Sequence, residues 1–192
     1  MRHNFLLMLA VFSGAAFAQQ SITTSIETVP GMPPVVSSTN LYSETAADKM
    51  SPSVASALTR VYVPNRQSND VYVIDPETMK VVDKFRVGLN PQHVVPSWDL
   101  KTLWVANNAE GTTKGTLTPI DPVTGKPGKS IVVDDPYNMY FTPDGRFAII
   151  VAEARKRLDF RDAQTMQMQG SLAVPDCGGV NHADFSIDGR YA

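Results

Sequence analysis

This sequence has little cysteine and no excess of positive charge. Cys177 is the single cysteine, so the C-x-x-C-H motif that attaches c-type haem is absent. Lys and Arg number 17 against 19 Asp and Glu, a formal net charge of −2. Because a basic patch is the usual electrostatic footprint of a nucleic-acid-binding protein, we expect no nucleic-acid partner.

The sequence also lacks a hydrophobic run long enough to cross a membrane. Residues 5–12 are apolar but fall far short of the roughly 20 residues that a spanning helix requires. They follow the basic start Met1-Arg2-His3 and precede the small-residue pair Ala16 and Ala18. This layout predicts a signal peptide over residues 1–18, cleaved between Ala18 and Gln19, and a periplasmic or secreted mature chain without a membrane span.

Large apolar residues are sparse again from residue 19 to residue 58. This stretch is rich in Ser, Thr, Ala and Pro, and Gly31-Met32-Pro33-Pro34 disfavours regular structure. Ser51 and Pro52 can open one short helix as N-cap and first helical residue. We interpret residues 19–58 as a linker.

What the sequence does contain, from residue 59 to residue 192, is a series of short strand signals. Runs of four to six β-branched and aromatic residues are bounded by Asn, Asp, Gly or Pro. No segment after Thr59 has a sustained apolar pattern of helical period. The clearest runs are residues 60–63, 71–74, 103–106, 131–133 and 147–151.

These strand signals repeat in a fixed order. The hairpin residues Asp99, Asp144 and Asp188 are 45 and 44 residues apart. Two other landmarks recur with a similar period: Tyr62-Val63-Pro64-Asn65 as Trp104-Val105-Ala106-Asn107 and Ile150-Val151-Ala152-Glu153, and Ile74-Asp75-Pro76 as Ile120-Asp121-Pro122 and Arg161-Asp162-Ala163. Four strands in about 45 residues is typical of β-propeller blades. The fold class is therefore predicted to be all-β, with blades of four antiparallel strands.

The recurring aspartates are interpreted as turn residues and not as catalytic groups. Asp144-Gly145 and Asp188-Gly189 fit tight hairpins that need a positive φ. Asp75-Pro76 and Asp121-Pro122 fit the start of a turn between strands.

The V-Y-V-P-N and L-W-V-A-N strands, the V-I-D-P-x-T turn and the F-T-P-D-G-R hairpin resemble the YVTN-type, YncE-like propeller repeat. The resemblance covers about residues 60–192. It implies an exported protein with a ring of seven or eight blades, a ligand site in the central funnel, and kinship with the d1-haem propellers of nitrite reductases.

About three blades fit into this sequence, whereas closed propellers use roughly 4–8. The last residues, Gly189-Arg190-Tyr191-Ala192, stop where earlier repeats continue into a strand. We therefore expect an incomplete ring from a truncated chain, in which Cys177 could pair with a cysteine beyond the C-terminus.

The repeat also points to a candidate site. His93, Asn138 and His182 each lie six residues before a hairpin aspartate, so they should occupy equivalent places in successive blades and face one channel. Two imidazoles and an amide could bind a metal, a haem or an anionic ligand. The alternative is that they hydrogen-bond the crossover between blades. Arg155-Lys156-Arg157 is expected in a solvated loop, as are Asp134, Asp135 and Asp176.

Three functions stay open from the sequence. The first is a ligand- or protein-binding scaffold with a periplasmic or surface partner, without enzymatic activity and without a required cofactor. The second is an oxidoreductase-associated propeller that binds haem or metal through His93 and His182. The third is a structural surface repeat protein. The fold alone does not choose among them.

Overall fold

The computed structural model describes residues 26–112 and 114–192, so the predicted signal peptide lies outside the described residues. Within these two ranges the chain forms strands and one short 3-10 turn, Pro52–Val54. The strands are β1 (Val61–Asn65), β2 (Asp70–Asp75), β3 (Lys80–Arg86), β4 (Pro91–Pro96), β5 (Leu103–Asn107), β6 (Lys114–Ile120), β7 (Ile131–Asp134), β8 (Pro136–Phe141), β9 (Phe147–Ala152), β10 (Arg157–Asp162) and β11 (Met168–Ala173).

Three antiparallel sheets form from these strands, as the repeat predicts. The first has the order β1-β2-β3, the second β4-β5-β6-β7 and the third β8-β9-β10-β11. The sheets touch one another chiefly through β1, β4 and β8, so they converge on these strands and spread apart toward β3, β7 and β11. We call β4 and β8 the inner strands.

The first sheet differs from the other two by one strand. β1 carries the same motif as β5 and β9, which stand second in their sheets. In the described part of the chain, the first sheet therefore has no counterpart of the inner strands.

Apolar side chains fill the two spaces between the sheets. Val71 of the first sheet packs with Val105 and Ile120 of the second. Leu117 of the second sheet belongs to a larger cluster with Ile150 of the third. A sheet that lies between two others is buried on both faces, and this explains why several strands have consecutive apolar residues.

The turn interpretation of the periodic aspartates is confirmed. Asp75, Asp121 and Asp162 each accept hydrogen bonds from the backbone N–H groups two and three residues further on, at 2.7–3.4 Å. Gly145 and Gly189 have φ values of 72° and 68° in the hairpin turns. These carboxylates are engaged in local turn geometry.

The segment before the first sheet, residues 26–58, runs along the turns that follow the inner strands. Val29 N–H donates to the Asp144 carbonyl at 3.0 Å, and Leu41 N–H donates to the Ile187 carbonyl at 2.8 Å. The 3-10 turn is capped by Ser51, whose side chain accepts from Ser53 N–H, as predicted. Among the described residues, no helix has the length and apolar character needed to cross a membrane.

Candidate functional site

The inner strands carry two of the three predicted site residues. His93 lies in β4 and Asn138 in β8, each as the third residue of its strand. His182 lies in the extended segment that leads to the next hairpin turn, Ser186–Tyr191. His93 and Asn138 therefore hold equivalent positions in the second and third sheets, whereas His182 follows the last described strand.

Both inner strands begin with a β-bulge, and the bulge decides which side chains face one another. The register shifts between Pro91 and His93 in β4 and between Pro136 and Asn138 in β8. The extra residue in β8 is Tyr137. Because a bulge redirects the side chains around it, Tyr137 takes a direction that strict strand alternation does not predict.

Positive φ angles just before the inner strands set up these bulges. Asn90 and Asp135 both have a φ of 49°, a conformation that Asn and Asp adopt more readily than most residues. Asp135 is buried and accepts a hydrogen bond from Arg155 N–H at 3.1 Å. Burial raises the pKa of the Asp135 carboxyl, and the N–H groups of Arg155 and Ala154 oppose that rise.

Three rings from three consecutive repeats meet at this end of the inner strands. The ring centroids of His93 and His182 are 5.5 Å apart, and Tyr137 lies 5.3 Å from His93 and 5.8 Å from His182. All three contacts are edge-to-face, with interplanar angles of 63–87°. We call His93, Tyr137 and His182 the histidine cluster.

The two histidines are in different environments. His93 Nε2 is buried and has no hydrogen-bond partner, whereas His182 is exposed and its Nδ1 lies 3.1 Å from Asn181 Oδ1. Burial lowers the pKa of His93, and the nearby His182 lowers it further. His93 is therefore neutral at pH 7, and a neutral imidazole can coordinate a metal ion or hydrogen-bond a ligand.

Asn138, the third predicted residue, is engaged elsewhere. Its side-chain NH2 group donates to the Tyr140 hydroxyl at 2.9 Å, and its oxygen accepts from Met139 N–H at 2.8 Å. The Tyr140 hydroxyl in turn accepts from Ala183 N–H, in the next repeat, at 3.1 Å. This chain of hydrogen bonds links successive repeats, which is the structural alternative that the sequence left open for these positions.

Tyr137 was missed by reasoning from the sequence. The available signal was the Asp135-Pro136 pair, which matches Asn90-Pro91 one repeat earlier, but only the strand register reveals the bulge that brings in the tyrosine ring.

The basic cluster at residues 155–157 is less solvated than expected. Arg157 begins β10, and its guanidinium contacts both Asp159 carboxylate oxygens, at 2.7 and 3.0 Å. It also contacts Asp134 Oδ2 at 3.1 Å, and Asp134 ends β7 and is not in a loop. Arg157 is drawn into these contacts because the carboxylate of Asp159 is fully buried and requires charged and hydroxyl donors.

No group of three or more His, Cys, Asp and Glu side chains suited to a metal ion occurs in residues 26–112 and 114–192. Cys177 is exposed and unpaired. Its pairing with a cysteine beyond the C-terminus stays a prediction.

The sheets, the repeat and the inner-strand site can now be compared with known proteins. A family model described as a YNCE-like beta-propeller matches residues 18–190. The chain belongs to this family. The three sheets are thus propeller blades, and the histidine cluster lies at one end of the propeller's inner strands.

Two solved structures are similar to part of this YNCE-like propeller. Hydrazine synthase of Kuenenia stuttgartiensis is similar over 62% of this chain and 34% of that chain, at 21% identity and a TM-score of 0.51. Dihydro-heme d1 dehydrogenase NirN, in complex with DHE, is similar over 64% of this chain and 26% of that chain, at 18% identity and a TM-score of 0.49. The propeller spans about a third or less of either chain. No curated protein matches it.

Proposed function

We propose that this propeller is an exported, non-enzymatic scaffold that binds a metal centre at the histidine cluster, either a divalent transition-metal ion or the iron of a haem. The buried, unpartnered Nε2 of His93 carries this proposal. A buried nitrogen without a hydrogen-bond partner is costly, by about 1–3 kcal/mol, and a ligand would satisfy it.

The chemistry of the two rings supports a metal as the ligand. Imidazole nitrogen suits Zn, Cu, Ni and Fe, and it must be unprotonated to coordinate. Burial keeps His93 neutral, and the exposed His182 lies within ring contact to serve as a second ligand. A bound metal centre would supply Lewis acidity or redox activity at this end of the propeller.

The test is a titration of the purified chain with Cu²⁺, Ni²⁺ and Zn²⁺, each alone, by calorimetry, and separately with haem by its absorption spectrum. We expect His93→Gln and His182→Gln to weaken binding by at least about tenfold. Cys177→Ser is the control, since its thiol is exposed and could bind metal by itself. The haem and ion titrations distinguish the two sources of the metal.

Either of two results would overturn the proposal: wild-type affinity in both histidine variants, or loss of binding in Cys177→Ser alone. A lack of binding to all four probes would also contradict it.

Without a bound metal, the free energy of unfolding should depend on pH through the protonation of His93. The pKa of His93 is lowered in the folded state, so the unfolded state takes up its proton first as pH falls below about 6.5. The free energy of unfolding should therefore decrease from pH 7 toward pH 5, and His93→Gln should remove the contribution of His93. Urea unfolding at a series of pH values measures this difference.

Export rests on the signal-peptide pattern of residues 1–18. Expression of the full chain in a Gram-negative host should give a periplasmic product whose intact mass begins at Gln19. An uncleaved product in the cytoplasm would contradict this part of the proposal.

A further inference from the structure

The opposite end of the inner strands contains a cavity that the histidine cluster does not use. It has a volume of about 540 Å³ and lies where β4 and β8 end. Val95, Trp98, Phe141 and Phe185 contribute from the repeats. Residues 33–51 of the segment before the first sheet form the facing wall.

The segment that contains this facing wall is fixed to several repeats, the wall itself to the last one. Leu41 N–H donates to the Ile187 carbonyl at 2.8 Å, and the Tyr42 hydroxyl donates to the Phe185 carbonyl at 2.8 Å. Further along, Leu58 N–H donates to the Pro122 carbonyl at 2.8 Å. A wall held at several points is preorganised, so a ligand would lose little affinity to ordering it.

The lining of the cavity defines the kind of molecule that fits. Most of the lining side chains are apolar, and the charged pair Glu44 and Lys49, 3.5 Å apart, is neutral overall. The lining residue Trp98 has a buried indole N–H without a hydrogen-bond partner. The volume lies within the roughly 300–1,000 Å³ of small-molecule sites, which combine apolar walls with a few polar groups.

We propose that this cavity binds a neutral, largely apolar small molecule with a hydrogen-bond-accepting oxygen, which the Trp98 indole N–H recognises. The ligand is held between the segment of residues 33–51 and the ends of the inner strands. The site is separate from the histidine cluster and does not depend on the function proposed for it.

The probe is prodan, a neutral naphthalene with one ketone oxygen, and its fluorescence is titrated with the purified full chain. We expect one bound probe per chain and a blue-shifted emission. Val35→Trp places a larger side chain in the cavity from the facing wall, so it should weaken binding by at least about tenfold. The matched control is Val132→Trp on the exposed face of β7, which should bind as wild type.

A second variant tests the recognition of the oxygen. Trp98→Phe keeps an aromatic wall but removes the N–H donor, so prodan should bind about threefold to tenfold more weakly. The compound 2-dimethylaminonaphthalene lacks the ketone, so it should bind Trp98→Phe and the wild type equally well. Circular dichroism and the urea midpoint establish that each variant is folded.

Unaltered prodan binding in a folded Val35→Trp variant would overturn the proposal. Equal weakening in Val132→Trp, or several probes per chain, would do the same, since both indicate binding to exposed apolar surface. His93→Gln should leave prodan binding intact, so failure of the histidine site and failure of this cavity are distinguishable.

Discussion

The first sheet and the two sheets that follow it contain the same motifs in different surroundings. By strand register, Val63, Val105 and Ile150 hold the same place in successive sheets, because each pairs with the residue three positions before a turn aspartate. Val105 and Ile150 are completely buried, whereas Val63 is only half-buried. Val105 packs against the first sheet and Ile150 against the second, whereas no sheet precedes the first among the described residues. The comparison shows that the motif determines the strand and its turns, and the neighbouring blade determines the burial.

The first and third sheets also differ in the donors that surround a buried carboxylate. Asp159 in β10 is fully buried and relies on the Arg157 guanidinium and on the Ser171 hydroxyl, 2.6 Å away. Asp70 in β2 is nearly as buried but has three different donors, from Asn65, Ser68 and Lys84. A carboxylate with one dominant cationic partner should be more vulnerable than one whose donors are shared.

The largest effect is therefore expected from Arg157→Ala. It leaves the Asp159 carboxylate buried with only a hydroxyl donor, and breaking a buried ion pair in this way costs about 3 kcal/mol. The free energy of unfolding, measured with urea and circular dichroism, should fall by about that amount.

Lys84→Ala is the matched control in the first sheet. Although burial raises the pKa of Asp70, hydrogen bonds from Ser68, Lys84 and Asn65 together lower it below the usual value. Two of these donors remain in the variant, so its loss of stability should be clearly smaller than that of Arg157→Ala. Equal losses would mean that the two sheets do not differ in how they hold buried charge.

A smaller effect is expected from shortening valines at half-buried and fully buried places in β1, β5 and β9. Val105→Ala or Val151→Ala removes two buried methyl groups and should cost about 2 kcal/mol. Val63→Ala, at the half-buried position, should cost about 1 kcal/mol or less. Urea unfolding of the three variants tests the ranking. If Val63→Ala were as costly as the other two, the first sheet would have to be covered in solution by something beyond the described residues.

The strands and turns were largely predictable because their signals are local. The β-branched runs gave the strands, and the Asp-Pro and Asp-Gly pairs gave the turns. The approach of His93 to His182 followed from their equal distances before the hairpin aspartates.

The remaining features depend on contacts between distant segments. Tyr137 joins the cluster through a bulge, which depends on pairing with β9. The cavity depends on the path of residues 33–51, and no periodicity specifies that path. The burial of Asp159 depends on how the sheets stack, so Arg157 was interpreted as a solvated charge.

The smallest effect concerns a turn that the segment before the first sheet covers. Gly145 has a φ of 72°, and a Cβ added there would lie 2.6 Å from Met32 Cγ and 2.9 Å from Trp98 Cδ1. Gly111 has a φ of 85° with no atom within 4 Å of the added Cβ. Gly111→Ala should therefore cost only the backbone strain of a left-handed residue, about 1 kcal/mol.

Gly145→Ala should cost the same strain plus the displacement of Met32, and a Met32→Ala background should reduce that excess. Urea unfolding of the wild type, the two single variants and the double variant forms a double-mutant cycle that isolates the contact. Leu100, with a φ of 58° in the equivalent turn of the previous repeat, tolerates a side chain in this conformation. The requirement for glycine at position 145 would then arise from the covering segment rather than from the turn itself. An equal cost for Gly145→Ala and Gly111→Ala would show instead that the segment does not press on the repeats.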